Sequence, residues 1–231
     1  MDSVNKQKRI VISLGGSLIV PNQIDIDFIS SFVHLINEYT SSGFKFIVIT
    51  GGGHICRNYN NAIKVIVEPT NEDLDWMGIA ATRLNAEFIR IAFDGLAYEK
   101  IMLDPDELPD TDKSVIVGGG WQTGNSSDLA AVHIARASDA GKVINLSNID
   151  FVYDKDPKKH DDAKPIESTS WAEFRSILPK EWDPGLNSPF DPIAAQESES
   201  LGLEVVIMNG KNIDNLRKYL NGEVFTGTVI K

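Results

Sequence analysis

The chain has 231 residues, 42% of them hydrophobic and 24% charged, which is ample for one sizeable core and unlike a disordered or fibrous composition. The net charge is -11 and the basic clusters, Lys6 to Arg9 and Lys155 to Lys159, are short, which argues against nucleic acid as a partner; backbone amides can still hold a small nucleotide. Cys56 is the only cysteine, so no intrachain disulfide can form; no apolar run is membrane-spanning and the opening MDSVNKQKR lacks a signal-peptide stretch, so cytoplasm is the expected location.

In chain order, Arg9 to Leu14 (RIVISL) reads as a buried strand that breaks at Gly15-Gly16-Ser17. Asp25 to Ser42 is an amphipathic helix, with Ile26, Ile29, Phe32, Val33 and Ile36 at helical spacing and Gly43 past its end. Phe44 to Thr50 is a second strand, ending at Gly51-Gly52-Gly53, and Arg57 to Ile66 looks helical. Asn71 is expected to cap a long helix from Glu72 towards Phe93, with Asp73 and Asp75 in its first turns. Leu103 to Lys113 reads as a surface loop.

Val115 to Val117 is a third strand, ending at Gly118-Gly119-Gly120; Asp128 to Ala140 is a helix and Val143 to Leu146 a fourth strand. Ser170 and Glu173 form a capping box for a helix through Ile177. A further helix starts near Asp191 with Pro192 in its first turn. Val205 to Met208 is a late strand, Ile213 to Leu220 a helix, and Gly227 to Ile230 a final strand. Asp154 to Pro165 reads either as a linker or as a hairpin loop. Strands alternating with helices imply a three-layer α/β/α fold with a mostly parallel central sheet.

Three strands end in glycines, where an open α/β sheet binds its ligands. Glycine there lets backbone N–H groups approach a phosphate. One such turn is equally well an ordinary tight turn, but three imply several anionic groups, as two phosphorylated ligands meeting end to end would bring. No GxxxxGK[ST], GxGxxG or HExxH is present, so a P-loop, a dinucleotide fold and a zinc site are not indicated. His34 and His133 fall within helices, whereas His54 directly follows a glycine triplet and could touch ligand.

The motifs ISLGGSLIVP, TGGGHICRNY, DLDWMGIAATRLNAE, GGGWQTGNSSDLAA, NLSNIDFVYDKDPKK and FDPIAA, in this order, resemble the amino acid kinase superfamily and within it the archaeal-type uridylate (UMP) kinases. The resemblance runs from Ile10 to Ile230. It implies one domain over 1–231, with an acceptor-binding lobe of about 1–140 and an ATP-binding lobe of about 141–231. The implied activity moves the γ-phosphoryl of ATP to UMP, with Mg²⁺ on the phosphates and a homo-oligomer, usually a hexamer, as the assembly.

By the same resemblance Gly52, Gly53 and Arg57 hold the UMP phosphate, as suits a rigid guanidinium fork. Asp75 accepts from the ribose, or simply favours the helix dipole. Thr82 and Asn85 face the site or pack their helix. Gln122, Thr123, Asn125, Ser126 and Ser127 offer short donors to uracil and phosphate, although a serine there also serves as an N-cap. Asp128 matches the carboxylate that organises the phosphate-binding groups, and Gly15 and Gly16 join it and Arg57 at the reacting centre. Gly15, Gly16, Ser17, Ser147, Asn148, Tyr153, Lys155, Asp156 and Lys158 would hold ATP, and Asn209-Gly210-Lys211 would border the adenine.

Two departures stand out. Ser13 occupies the position where, by the resemblance, bacterial relatives and some others carry a lysine that some archaeal-type sequences also lack, which leaves the source of positive charge open among Mg²⁺, the backbone amides at Gly15, Gly16 and Gly52, and one of Lys155, Lys158 or Lys211. Phe151 stands where a glycine is usual. Other readings are a superfamily kinase for a small carboxylate, carbamate or isoprenoid phosphate, and a non-catalytic nucleotide-binding or storage protein.

Overall fold

A computed structural model describes residues 9–179 and 188–231. The first half runs β1 (Arg9–Leu14), α1 (Gly16–Ile19), α2 (Ile26–Ser41), β2 (Lys45–Thr50), α3 (Gly53–Ile66), α4 (Asn71–Ala92) and β3 (Val115–Gly118). It continues with α5 (Ser127–Ala137), β4 (Lys142–Ser147), β5 (Val152–Tyr153), β6 (Pro165–Ile166), β7 (Ser168–Thr169) and α6 (Trp171–Ile177). The last elements are α7 (Pro192–Leu201), β8 (Glu204–Asn209), α8 (Ile213–Asn221) and β9 (Thr228–Ile230).

Seven strands form one sheet in the order β3-β2-β1-β4-β8-β9-β7. β3 through β8 pair parallel, and β9 turns antiparallel against β8. The parallel strands are apolar on both faces because helices cover both. Side-chain alternation divides each strand between two cores. Val11, Ile47, Ile116, Val143, Val205 and Ile207 pack under α5, α6 and α7. Ile12, Leu14, Phe46, Val48, Ile144, Leu146 and Met208 pack against α1, α2, α4 and α8. The result is the expected three-layer α/β/α architecture.

Several boundaries differ from expectation for local reasons. The α4 cap is Thr70, not Asn71: the Asp73 amide donates to Thr70 Oγ1 at 3.1 Å, and the Thr70 amide donates back to the Asp73 carboxylate at 2.9 Å. α3 starts at Gly53, four residues earlier than the pattern suggests, because Gly53 takes φ +65° and lets the glycine turn run straight into the helix. Asp154 to Pro165 is the loop of a hairpin, closed by Asp154 N–H to the Lys164 carbonyl at 3.1 Å and by β5–β6 pairing, so it is not a linker. The capping box at Ser170 and Glu173 and the Asp191-Pro192 helix start form as the sequence indicates.

Candidate active site

The tips of four neighbouring strands meet edge to edge. Gly51 N–H donates to the Leu14 carbonyl at 2.9 Å, Gly15 N–H to the Leu146 carbonyl at 2.9 Å, and Gly210 N–H to the Ser147 carbonyl at 2.8 Å. These bonds line up Gly51 to Gly53, Gly15 to Ser17, Ser147 and Asn209-Gly210 along the carboxyl ends of β2, β1, β4 and β8. They also engage the Gly15 amide, so the candidate phosphate donors on that turn are Gly16 and Ser17, not Gly15. The first two glycine turns are stacked main chain on main chain: a Cβ added at Gly51 would sit 2.6 Å from the Gly16 nitrogen. Neither α1 nor α3, which begin from these turns, has a side chain capping its N-terminus. The His54 amide is taken by the Val20 carbonyl at 3.0 Å and the Leu18 amide by the Gly15 carbonyl at 2.9 Å, which leaves Gly16, Ser17 and Gly53 as the candidate donors to an anion at the tips.

α4 holds the turns from behind. Asn85, 3% exposed, donates through Nδ2 to the Gly51 carbonyl at 2.8 Å and the Gly52 carbonyl at 3.2 Å. Thr82 Oγ1 accepts the Gly120 amide at 2.7 Å and donates to the Ile79 carbonyl at 2.7 Å. Arg83 donates from Nε to the Gly120 carbonyl at 3.0 Å and from Nη2 to the Trp121 carbonyl at 3.1 Å. Asp75 Oδ2 accepts the Gly124 amide at 2.7 Å. Thr82 is thus engaged with the protein on both sides, which corrects its place among the ligand donors: it ties the 118–124 turn to α4.

Asp75 meets the 122–125 segment, with Gln122 exposed and Thr123 and Asn125 half-buried beside it. Ser126 is the N-cap of α5, accepting the Leu129 amide at 3.1 Å, so its side chain has a structural role. Ser127, half-buried, opens the helix. Arg57 lies exposed in the first turns of α3, with no ion pair to another described residue. The donor-side residues are more dispersed. Ser147 and Asn148 sit at the β4 tip, while Tyr153, Lys155, Asp156 and Lys158 follow on the hairpin. There Lys155 pairs with Asp162 at 2.6 Å and Asp156 accepts the Lys158 amide at 3.0 Å, so this loop is braced within itself. Asn209 links the two groups by donating to Asp150 at 2.9 Å.

Asp128, in the first turn of α5, points at the sheet. Oδ1 accepts from Ser13 Oγ at 2.9 Å and Asn145 Nδ2 at 3.0 Å, and Oδ2 from the Asp191 amide at 3.3 Å. Burial pushes its carboxyl up to about 6; the Asp191 carboxylate adds to the rise, and the three donors oppose it by favouring the charged form. The tips thus combine main-chain donors in two adjoining turns with one carboxylate held between the sheet and α5, an arrangement suited to positioning phosphate groups.

The sequence model of the amino acid kinase family matches residues 8–209. The chain belongs to the amino acid kinase family. Relatives in this family include a uridylate kinase of Methanobrevibacter smithii, 31% identical over 218 residues that span 93% of this chain and 96% of the relative. A uridylate kinase of Methanococcus aeolicus is 30% identical, covering 96% of this chain and 99% of its own length. The crystal structure of uridylate kinase from Archaeoglobus fulgidus superposes with a TM-score of 0.82 at 29% identity, over 96% of this chain and 99% of that one.

Two residues of this amino acid kinase chain lie inside the quoted motifs without being singled out there. Asn145 sits in an apolar strand, and its signal is parity: it and Ser13 are the polar residues at matching positions of VINLS and RIVISL. Arg83 reads as an ordinary surface cation of α4, and only its two carbonyl partners reveal the clamp.

Proposed function

We propose that this chain is a UMP kinase that transfers the γ-phosphoryl of ATP to UMP. The observation that carries the reading is the stacking of the Gly15–Ser17 and Gly51–Gly53 turns, which puts uncapped amides of two helix starts side by side at adjoining strand tips. The uridylate kinases to which the chain is similar along nearly its whole length support the choice of substrates.

In this reading the acceptor half, about 1–140, holds UMP with the Gly52 and Gly53 amides and Arg57 on its phosphate. Asp75 lies at the ribose and the 122–127 segment at the uracil. The donor half, about 141–231, holds ATP with Ser147, Asn148 and Tyr153 and with Lys155, Asp156 and Lys158 from the hairpin, and Gly16 and Ser17 at the β1 tip reach its phosphates from the other half. The UMP phosphate is already an oxyanion, so no general base is required, and catalysis is positioning and charge stabilisation. Asp128 orients the groups around the transferred phosphoryl. Among the described residues no group of three or more carboxylates or imidazoles could hold a metal by itself; Mg²⁺ would be held chiefly by the nucleotide's phosphate oxygens and water and, bound, would neutralise charge on the donor phosphates.

The reading includes a cytoplasmic homo-oligomer. α3 has no buried residue, and Val65, Ile66, Leu84 and Ile91 on α3 and α4 are between 59% and 87% exposed, an apolar face that a second copy would cover. No helix among the described residues is long and apolar enough to cross a membrane.

A coupled assay of ADP release with ATP and a panel of nucleoside monophosphates tests the proposal. UMP-dependent turnover well above that with AMP or GMP is expected. Preference for a non-nucleotide acceptor would reassign the chain within its family. Calorimetric binding of both nucleotides without UDP formation would make it a binding protein.

A further inference from the structure

Ser13 and Asn145 occupy the two central strands of the sheet, where an apolar side chain is the default. They are directly paired in the β1–β4 register, and both are nearly fully buried, at 2% and 6% exposed. Their neighbours on the same face, Val11 and Val143, pack into the core beneath α5. A hydroxyl and an amide buried there cost stability unless they are hydrogen-bonded, and both donate to the same oxygen of Asp128. The third donor, the Asp191 amide, reaches the other oxygen from the head of α7. The carboxylate is thereby fixed by groups from β1, β4 and α7. The charged side chain acting on it is Asp191, and the strands beneath contribute neutral groups only.

We propose that Ser13 and Asn145 are positioning residues, a neutral two-strand cradle that aims the Asp128 carboxylate at the strand tips and keeps it ionised without a lysine on β1. The inference rests on the reading of Asp128 as the organising carboxylate. Because both donors favour the charged form, removing either should raise the pH at which the carboxylate protonates.

The test compares kcat and the UMP KM of the intact chain, from pH 5 to 9 with saturating ATP, for wild type, Ser13→Ala, Asn145→Leu and Asp128→Asn. UMP itself titrates near 6, but identically in every sample. Asp128→Asn is expected to slow kcat by about a hundredfold. Ser13→Ala and Asn145→Leu are each expected to lower kcat roughly tenfold, with the UMP KM within about twofold of wild type, and to shift the acid limb upward by roughly half a pH unit or more. If Asp128→Asn turns over normally, the reading of Asp128 falls and takes the cradle with it. If Asp128→Asn is slow while the other two variants keep the wild-type acid limb, the cradle alone is overturned, including where their kcat falls. Should Asn145→Leu fail to fold, Ser13→Ala, which removes one oxygen atom, decides by the same criterion.

Discussion

Replacing Gly16 by alanine is the sharpest perturbation of the stacked turns. An added Cβ would lie 2.5 Å from both the carbon and the oxygen of the Gly51 carbonyl, and nearer still to the Gly53 nitrogen. The obstacle is backbone on every side, so no rotamer change relieves it. Ordinary contact requires the turns to separate by about 1 Å, and a misplacement of that size at a reacting centre costs on the order of a hundredfold in rate. Overpacking a buried site of this kind costs up to about 3 kcal/mol, which in a chain of this size lowers Tm by roughly 6–12 °C. Gly95→Ala is the control, since nothing lies within 4 Å of its Cβ position; it should leave Tm within about 2 °C and kinetics unchanged. Thermal melts and steady-state UMP phosphorylation read both quantities. A Gly16→Ala chain with wild-type Tm and kcat would refute the claim that the two turns are in obligatory main-chain contact.

Asn85→Ala removes both donors to the Gly51 and Gly52 carbonyls and should cost about 1–3 kcal/mol in urea unfolding, with a raised UMP KM. Arg83→Ala frees the 118–124 turn and should raise the UMP KM more than the ATP KM, read by varying each substrate in turn. The Asp128 carboxyl titrates at about 6 when folded and near 3.9 when unfolded. The folded chain therefore holds the extra proton between these values, and this group contributes stability that is full below about pH 4 and gone above about pH 6. Wild type should accordingly lose about 2 kcal/mol relative to Asp128→Asn across that window, measured by denaturant titration at each pH. Ile66→Asp places a charge on the bare apolar face of α3 and should shift the chain to monomer in light scattering.

The long strands were legible because chemistry and position agree. RIVISL and KFIVIT combine β-branched runs with glycine stops, and as central parallel strands they are buried on both faces. The two-residue strands carry no period: the sequence leaves Asp154 to Pro165 open between a linker and a hairpin loop until β5 and β6 pair, and β7 is decided by β9. The glycine turns were visible one by one. That neither Gly16 nor Gly51 has room for a side chain, because each lies against the other's main chain, is a property of two distant segments in contact. Thr82 shows the same limit: the sequence leaves it between the site and its helix, and in the fold its hydroxyl donates to the Ile79 carbonyl and accepts the Gly120 amide. Asp128 was singled out by its motif, but the Ser13–Asn145 pair beneath it emerges only once β1 and β4 are known to be neighbours in register.

A crystal structure of the chain with UMP and a non-hydrolysable ATP analogue tests the central claim most directly. The account predicts the UMP phosphate on the Gly52 and Gly53 amides and the terminal donor phosphate on Gly16 and Ser17, in line across the stacked turns and beside Asp128. Either nucleotide bound away from the tips of β1 and β2, or phosphates turned away from one another, would contradict it.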